Sequence, residues 1–151
     1  MDPWIFEDNL QNVCFTGLTA RGIPHGSTRA NSENTQDRVE VTATGFYEAS
    51  ARMTQSAGGE WFRNHYSGVL AFGVFTQRAG ANAVNHNVWV SNIRNMMSRP
   101  TQFFTGNNLP CYTVLRVSET ASDPEIEVKT DADHTPLTYI VEMEIVGSQV
   151  T

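Results

Sequence analysis

The stretch from residue 60 to residue 77 constrains this chain more than any other. Its middle, Val69-Leu70-Ala71-Phe72-Gly73-Val74-Phe75, is apolar on both faces of an extended chain and far too short to span a bilayer. A run of this kind reads as a central strand of a sheet, covered on both sides. Gly68 and Gly73 interrupt it, which points to bulges or to close backbone approach. A sheet with one long strand at its centre is therefore the frame into which the other segments must fit.

The neighbouring segments supply the partners. Residues 38–50 alternate: Val39, Val41, Ala43, Gly45, Tyr47 and Ala49 fall on one side, and Arg38, Glu40, Thr42, Thr44 and Glu48 on the other. That period of two predicts a half-buried strand. Residues 51–59, ending in Gly58-Gly59, read as a flexible hairpin loop between the two strands. Residues 111–119 predict a third strand and 137–146 a last one, with Leu137, Tyr139, Val141, Met143 and Ile145 inward. The acidic stretch 121–136 reads as a loop in which residues 125–129 pair briefly.

Two segments have helical spacing. Asp2-Pro3 is a helix start, an Asp cap followed by Pro at the first helical position. Phe6, Leu10, Val13, Cys14 and Leu18 then form one apolar face, and Gly22 with Pro24 stops the helix after Ala20. Val84, Val88, Trp89, Ile93, Met96 and Met97 form the face of a second helix that closes at Arg99-Pro100. Residues 25–36 and 101–110 read as loop and connector. The order helix, hairpin, helix, hairpin predicts an α+β domain of two layers, a mainly antiparallel sheet of two hairpins packed by two helices. The 151 residues form one domain, 1–151, with inserted loops at about 25–37 and 120–136.

Charge narrows the function classes. The formal net charge is −6, whereas a general nucleic-acid binder is basic. The imbalance is local: from Glu119 onward there are eight acidic residues and one base, Lys129, against eight acids and nine arginines before it. Charged residues are only 17% of the chain, where about a quarter is usual, so much of the surface is neutral and easily desolvated against another protein. The opening Met1-Asp2-Pro3-Trp4 lacks the basic-then-apolar pattern of a signal peptide, and neither secretion nor a membrane is expected. Cys14 and Cys111, both flanked by apolar residues, read as buried reduced thiols. Their spacing matches no zinc or redox motif and leaves a disulfide between them open.

A search for reactive constellations returns little. The chain has no nucleophile elbow, no phosphate loop and no dinucleotide fingerprint. His25, His65, His86 and His134 are scattered without an obvious nucleophile or carboxylate partner. Asp123, Glu125, Glu127, Asp131 and Asp133 make the densest acidic cluster, but the glycine and distal Glu of a calcium loop are missing, so a solvated acidic hairpin is the default. Trp61, Phe62 and Tyr66 with Arg63 and His65 read as sheet core and protein interface rather than a base-stacking platform. No enzyme activity, cofactor or metal is expected.

The layout has a familiar counterpart. A helix closing at Arg21-Gly22, the strand Arg38-Val39-Glu40-Val41, the Ala57-Gly58-Gly59 turn, the strand Tyr66-Ser67-Gly68-Val69-Leu70-Ala71-Phe72-Gly73-Val74-Phe75, the Ala79-Gly80-Ala81 stretch, an amphipathic helix and two late strands follow one another over nearly the whole chain. This order resembles the tail-terminator-like proteins of tailed bacteriophages. The resemblance implies a sheet packed by helices and a six-membered ring. Such a ring sits on the last ring of the tail tube, stops its growth and meets the head connector. DNA passes through it without specific binding. It implies a virion protein assembled in the bacterial cytoplasm, with no catalytic residues.

A ring of identical subunits needs two different complementary patches on each copy. The arginine-bearing first part and the acidic last part are candidates for the two. Arg52, Gln55, Gly58, Gly59 and Trp61 of the hairpin, and Glu125, Glu127, Asp131 and Asp133 of the acidic loop, are the expected contacts with neighbours. Two other virion roles share this pattern: a neck or head-completion protein, and a tail-tube subunit, for which the hairpin of 38–77 is long enough. A small ligand- or metal-binding enzyme is the alternative of a different class.

Overall fold

The computed structural model describes residues 3–27, 37–56, 59–105, 112–120, 125–127 and 132–148. Three helices pack on a mixed sheet. In chain order the elements are α1 (Pro3–Ala20), β1 (His25–Ser27), β2 (Arg38–Ser56), β3 (Gly59–Gln77), a 3₁₀ turn (Ala83–Asn85), α2 (His86–Ser98), α3 (Pro100–Thr105), β4 (Thr113–Glu119), β5 (Glu125–Glu127) and β6 (Ala132–Ser148). The sheet runs β1-β2-β3-β6-β4, and β5 pairs with the start of β6 on the same side as β4. All described pairings are antiparallel except β1 with β2. The α+β class and the central place of β3 agree with the sequence. The parallel β1, in a segment expected to be loop, is a correction.

Local chemistry explains the ends of α1. Gly22 sits at φ 68°, and its N–H donates to Thr19 O (3.0 Å) while Ile23 N–H donates to Leu18 O (3.0 Å). This is the Schellman closure, with buried Leu18 and Ile23 as its apolar clasp. Asp2, expected to cap the other end, lies outside the described residues, as does Cys111. Leu10, Val13, Cys14 and Leu18 are buried as their spacing demands. Burial pushes the Cys14 thiol far above its ordinary range, so it stays protonated and unreactive.

The sheet buries one face. Tyr66, Leu70, Phe72 and Val74 of β3 join Val39, Val41 and Ala43 of β2 and Leu137, Tyr139, Val141 and Met143 of β6 in a single core with the helices. Val69, Ala71, Gly73 and Phe75, on the other face, are only partly covered. The expected second covering layer is absent among the described residues. Neighbouring strands shield this face instead. The Arg38 guanidinium lies 4.6 Å from the centre of the Phe75 ring, and His134 stacks on that ring at 4.1 Å.

Two irregularities reset which residues point inward. Gly45, at φ 69°, opens a bulge between Thr44 and Tyr47. The strict alternation read through Gly45 therefore inverts: Phe46 is buried and Tyr47 is 60% exposed. Phe46 has room because Gly68 lies beneath it, where a Cβ would stand 2.4 Å from the Phe46 ring. A second shift, between Val114 and Arg116, puts Val114 and Val117 on one face.

Three further expectations are corrected. The hairpin loop of 51–59 is strand up to Ser56 and again from Gly59, with the turn itself outside the described residues. Residues 132–136, assigned to the acidic loop, belong to β6. The connector after Arg99 begins as α3: Pro100 starts a new helix as well as ending the old one, and this helix buries Phe104. The second helical face is also shifted. Val84 is in the 3₁₀ turn and 82% exposed, Val88 is exposed, and the buried set is His86, Trp89, Val90, Ile93, Met96 and Met97.

His86 pins α2 to the sheet. Its Nδ1 and Nε2 lie 2.7 Å from Thr76 Oγ1 and 2.7 Å from Thr135 Oγ1. Burial, more than any other cause, lowers its pKa; Asp133 opposes the shift and His134 adds to it. A lowered imidazole pKa means that the unfolded chain takes up the proton first. This contribution to stability is complete above about pH 6.5 and is lost as pH falls through the folded-state value. The melting temperature is expected to fall on acidification from pH 7 to 5, and less steeply in His86→Gln. An equal slope in the variant contradicts this. His86→Ala, which strands the Thr76 hydroxyl, is expected to cost about 1–3 kcal/mol in urea unfolding.

Candidate assembly interface

The strands that form the sheet also expose the surfaces available to a partner. β2 and β3 each run 19 residues. At 3.3 Å per residue that is about 60 Å, against about 27 Å for the 18-residue α1. Among residues whose burial is described, the core positions of these strands lie between Val39 and Phe46 and between Tyr66 and Thr76. The far half of the hairpin is backed by the end of β6, which pairs as far as Trp61 with Ser148.

Among the described residues, the outer edge of β2 is open over most of its length. β1 covers it only at Val39, Glu40 and Val41. Beyond these, among the described residues, no strand pairs with it. The direction of its backbone groups follows from one bond: Val39 N–H donates to Pro24 O (2.8 Å), away from β3. Continuing the register through the bulge at Gly45 and a further shift in β2 between Glu48 and Ser50 puts the N–H and C=O of Ala51, Met53 and Gln55 on that same outer side, because their neighbours Arg52 and Thr54 pair with Arg63 and Trp61 in the inner ladder. Unpaired edge groups of this kind are a template for another chain.

The expected contact residues distribute over this frame as follows. Arg52 stands opposite Arg63, Gln55 opposite Glu60 and Ser56 opposite Gly59, while Trp61 stands opposite both Thr54 and Ser148. They belong to a paired arm, not to a loop. Gly58 and Asp131 lie outside the described residues. Glu125 and Glu127 are on β5, opposite His134 and Ala132. Asp133 is paired with Arg78, whose Nε lies 3.2 Å from its Oδ1. Among the described residues, the strand register does not bring the hairpin and acidic sets together within one chain.

The open face of the sheet carries a ladder of side chains. Arg38 donates to Glu40 (2.7 Å) as well as covering Phe75. His65 Nε2 lies 2.8 Å from Glu144. Ile140 and Leu115 are exposed large apolar residues, as is Tyr47 at the bulge. These three were not singled out by sequence reasoning, because the two strand irregularities that expose Leu115 and Tyr47 leave no periodic trace.

Two shallow clefts flank the helices. One of about 230 Å³ is lined by Arg94, Met97, Ser98, Val117, Glu119 and Tyr139. In it Arg94 Nε (3.0 Å) and the Tyr139 hydroxyl (3.2 Å) both donate to Glu119 Oε1, and burial followed by the Glu119 charge pushes the Tyr139 phenol well up. The donors and acceptor satisfy one another, which makes this a structural clasp. The other cleft, of about 310 Å³, is lined by Arg21, Asn95, Met96, Arg99, Gln102 and Phe103.

Among the described residues, the remaining ionisable groups do not converge on a reactive centre. His25 lies 2.7 Å from Thr19 Oγ1 and stacks on Phe15 at 4.7 Å. Among the described residues no three His, Cys, Asp or Glu side chains are grouped to hold a metal ion, and no helix is long and apolar enough to cross a membrane. The chain matches no family model, and no curated protein is similar to it at a significant level.

Proposed function

We propose that this chain is a structural protein of a tailed-phage virion, a tail terminator. Six copies close into a ring that caps the tail tube and joins it to the head connector. The observation that carries this reading is the edge of β2: from residue 42 to 56 of this 19-residue strand it meets no further strand among the described residues. An isolated soluble domain pays for such an edge with aggregation, whereas an assembling subunit uses it. The one-sided core supports the same reading, since a partly apolar open face is the kind of surface that association covers. The order of elements supports the terminator in particular, through its likeness to tail-terminator-like proteins.

The net charge of −6 suits a ring that threads DNA without holding it, because like charge keeps phosphates off the wall. The place of work is then the virion neck, after assembly in the host cytoplasm. The length of the hairpin favours a second reading, a tail-tube subunit whose arms line a growing tube. Electron microscopy of the purified protein separates them. Discrete rings are expected of a terminator, and long tubes would replace that reading with the tube subunit.

A further inference from the structure

Six arginines have described side chains, and they divide sharply. Arg38, Arg78 and Arg94 each meet a carboxylate of the same chain, and Arg116 donates to Ser118 Oγ. Arg21 and Arg99 meet no carboxylate among the described residues, and both line the 310 Å³ cleft. They are 78 positions apart and reach the cleft from different layers, Arg21 from the end of α1 and Arg99 from the residue that ends α2.

The cleft is constructed rather than accidental. Gly17 lets α1 approach the α2–α3 corner: a Cβ there would stand 2.8 Å from the Phe103 ring and 3.0 Å from Met96 Cε. Met96 and Phe103 therefore form an apolar floor. Arg21 is held in place by one bond, Nη1 to Gly17 O at 2.9 Å, which leaves most of its donors for a ligand. Asn95 and Gln102 add amide groups at the rim, and among the described residues no acidic side chain lines the cleft. Two guanidinium groups over an apolar floor suit carboxylates borne on a peptide segment.

We propose that this cleft receives the acidic edge of a second copy of the chain, with Glu125 and Glu127 of β5 as the entering carboxylates. Charge complementarity selects this occupant. The chain from residue 119 onward has eight acids to one base, and Glu119, Asp133 and Glu144 among them are already engaged internally. Glu125 and Glu127 stand two residues apart on a three-residue strand that pairs only with 132–134 among the described residues. That spacing places two residues on one side of a strand, about 6.6 Å apart. The pairing is head-to-tail, cleft of one copy to β5 of the next, as a closing ring requires. It rests on the ring reading for its biological setting.

The test uses the full chain throughout. Fluorescence anisotropy follows a labelled peptide of residues 122–130, and sedimentation velocity follows assembly. Arg21→Gln/Arg99→Gln is expected to weaken peptide binding at least tenfold, and Arg21→Glu/Arg99→Glu and Glu125→Arg/Glu127→Arg each to break the assembly. Combining the two reversals in one chain is expected to restore it. If a reversal unfolds the chain by circular dichroism, the glutamine pair carries the comparison. Equal peptide binding by wild type and the glutamine pair overturns the proposal, as does assembly unaffected by the arginine changes. Tighter arginine-dependent binding of an oligothymidylate than of the peptide also overturns it, in favour of a phosphate ligand. A chain that binds the peptide through both arginines but never assembles keeps the cleft and removes the ring.

Discussion

Gly68→Ala is expected to be among the most damaging single substitutions in this protein. The added methyl group would stand 2.4–2.5 Å from three atoms of the Phe46 ring, well inside contact distance. Phe46 is itself buried, and the positive φ of Gly45 before it fixes where its ring can go. Overpacking alone costs about 1–3 kcal/mol. Expelling the ring from its seat raises the loss toward the about 3–5 kcal/mol of a Phe→Ala change in a core. Against a total of about 5–15 kcal/mol, that leaves a marginal fold. A double-mutant cycle isolates the cause: with Phe46→Ala already present, Gly68→Ala is expected to add little further loss in urea unfolding. Full additivity would show that the two residues do not share this space.

Met53→Pro is expected to have a comparably large effect on assembly and a small one on folding. The Met53 N–H lies on the outer side of β2, so proline there removes no bond from the β2–β3 ladder. It does remove a donor from the edge offered to a neighbour. The purified variant should melt within a few degrees of wild type and sediment as the single chain. Thr54→Pro is the contrasting control, because residue 54 faces Trp61 in the inner ladder and its loss should destabilise the arm. Wild-type assembly by Met53→Pro would show that this edge is not used.

The sequence was most legible where one residue's chemistry decides a local outcome. The closure of α1 at Gly22 and the inward set from Leu137 to Met143 follow from capping and period alone. It misled where a single backbone choice propagates. Gly45 fits an alternating strand on paper, yet its positive φ opens a bulge that buries Phe46 and exposes Tyr47. The apolar run of 69–75 suggested two covering layers; cross-strand packing by Arg38, His134 and Ile140 serves its second face instead, and pairing of that kind leaves no local signal. Arg52 and Gln55, expected in a hairpin loop, stand on paired strands, and Trp61 is on a strand as expected. Nothing local in the sequence marks Arg21 and Arg99 as a pair, because the packing of α1 at Gly17 brings them to one cleft.

On the proposed reading, other copies of the chain cover the β2 edge and the open face of the sheet. Sedimentation equilibrium of the wild-type protein tests it most directly. The account predicts one closed species at six times the 16.8 kDa chain mass, dissociating on Met53→Pro. A wild-type protein that remains a single chain up to its solubility limit would contradict it.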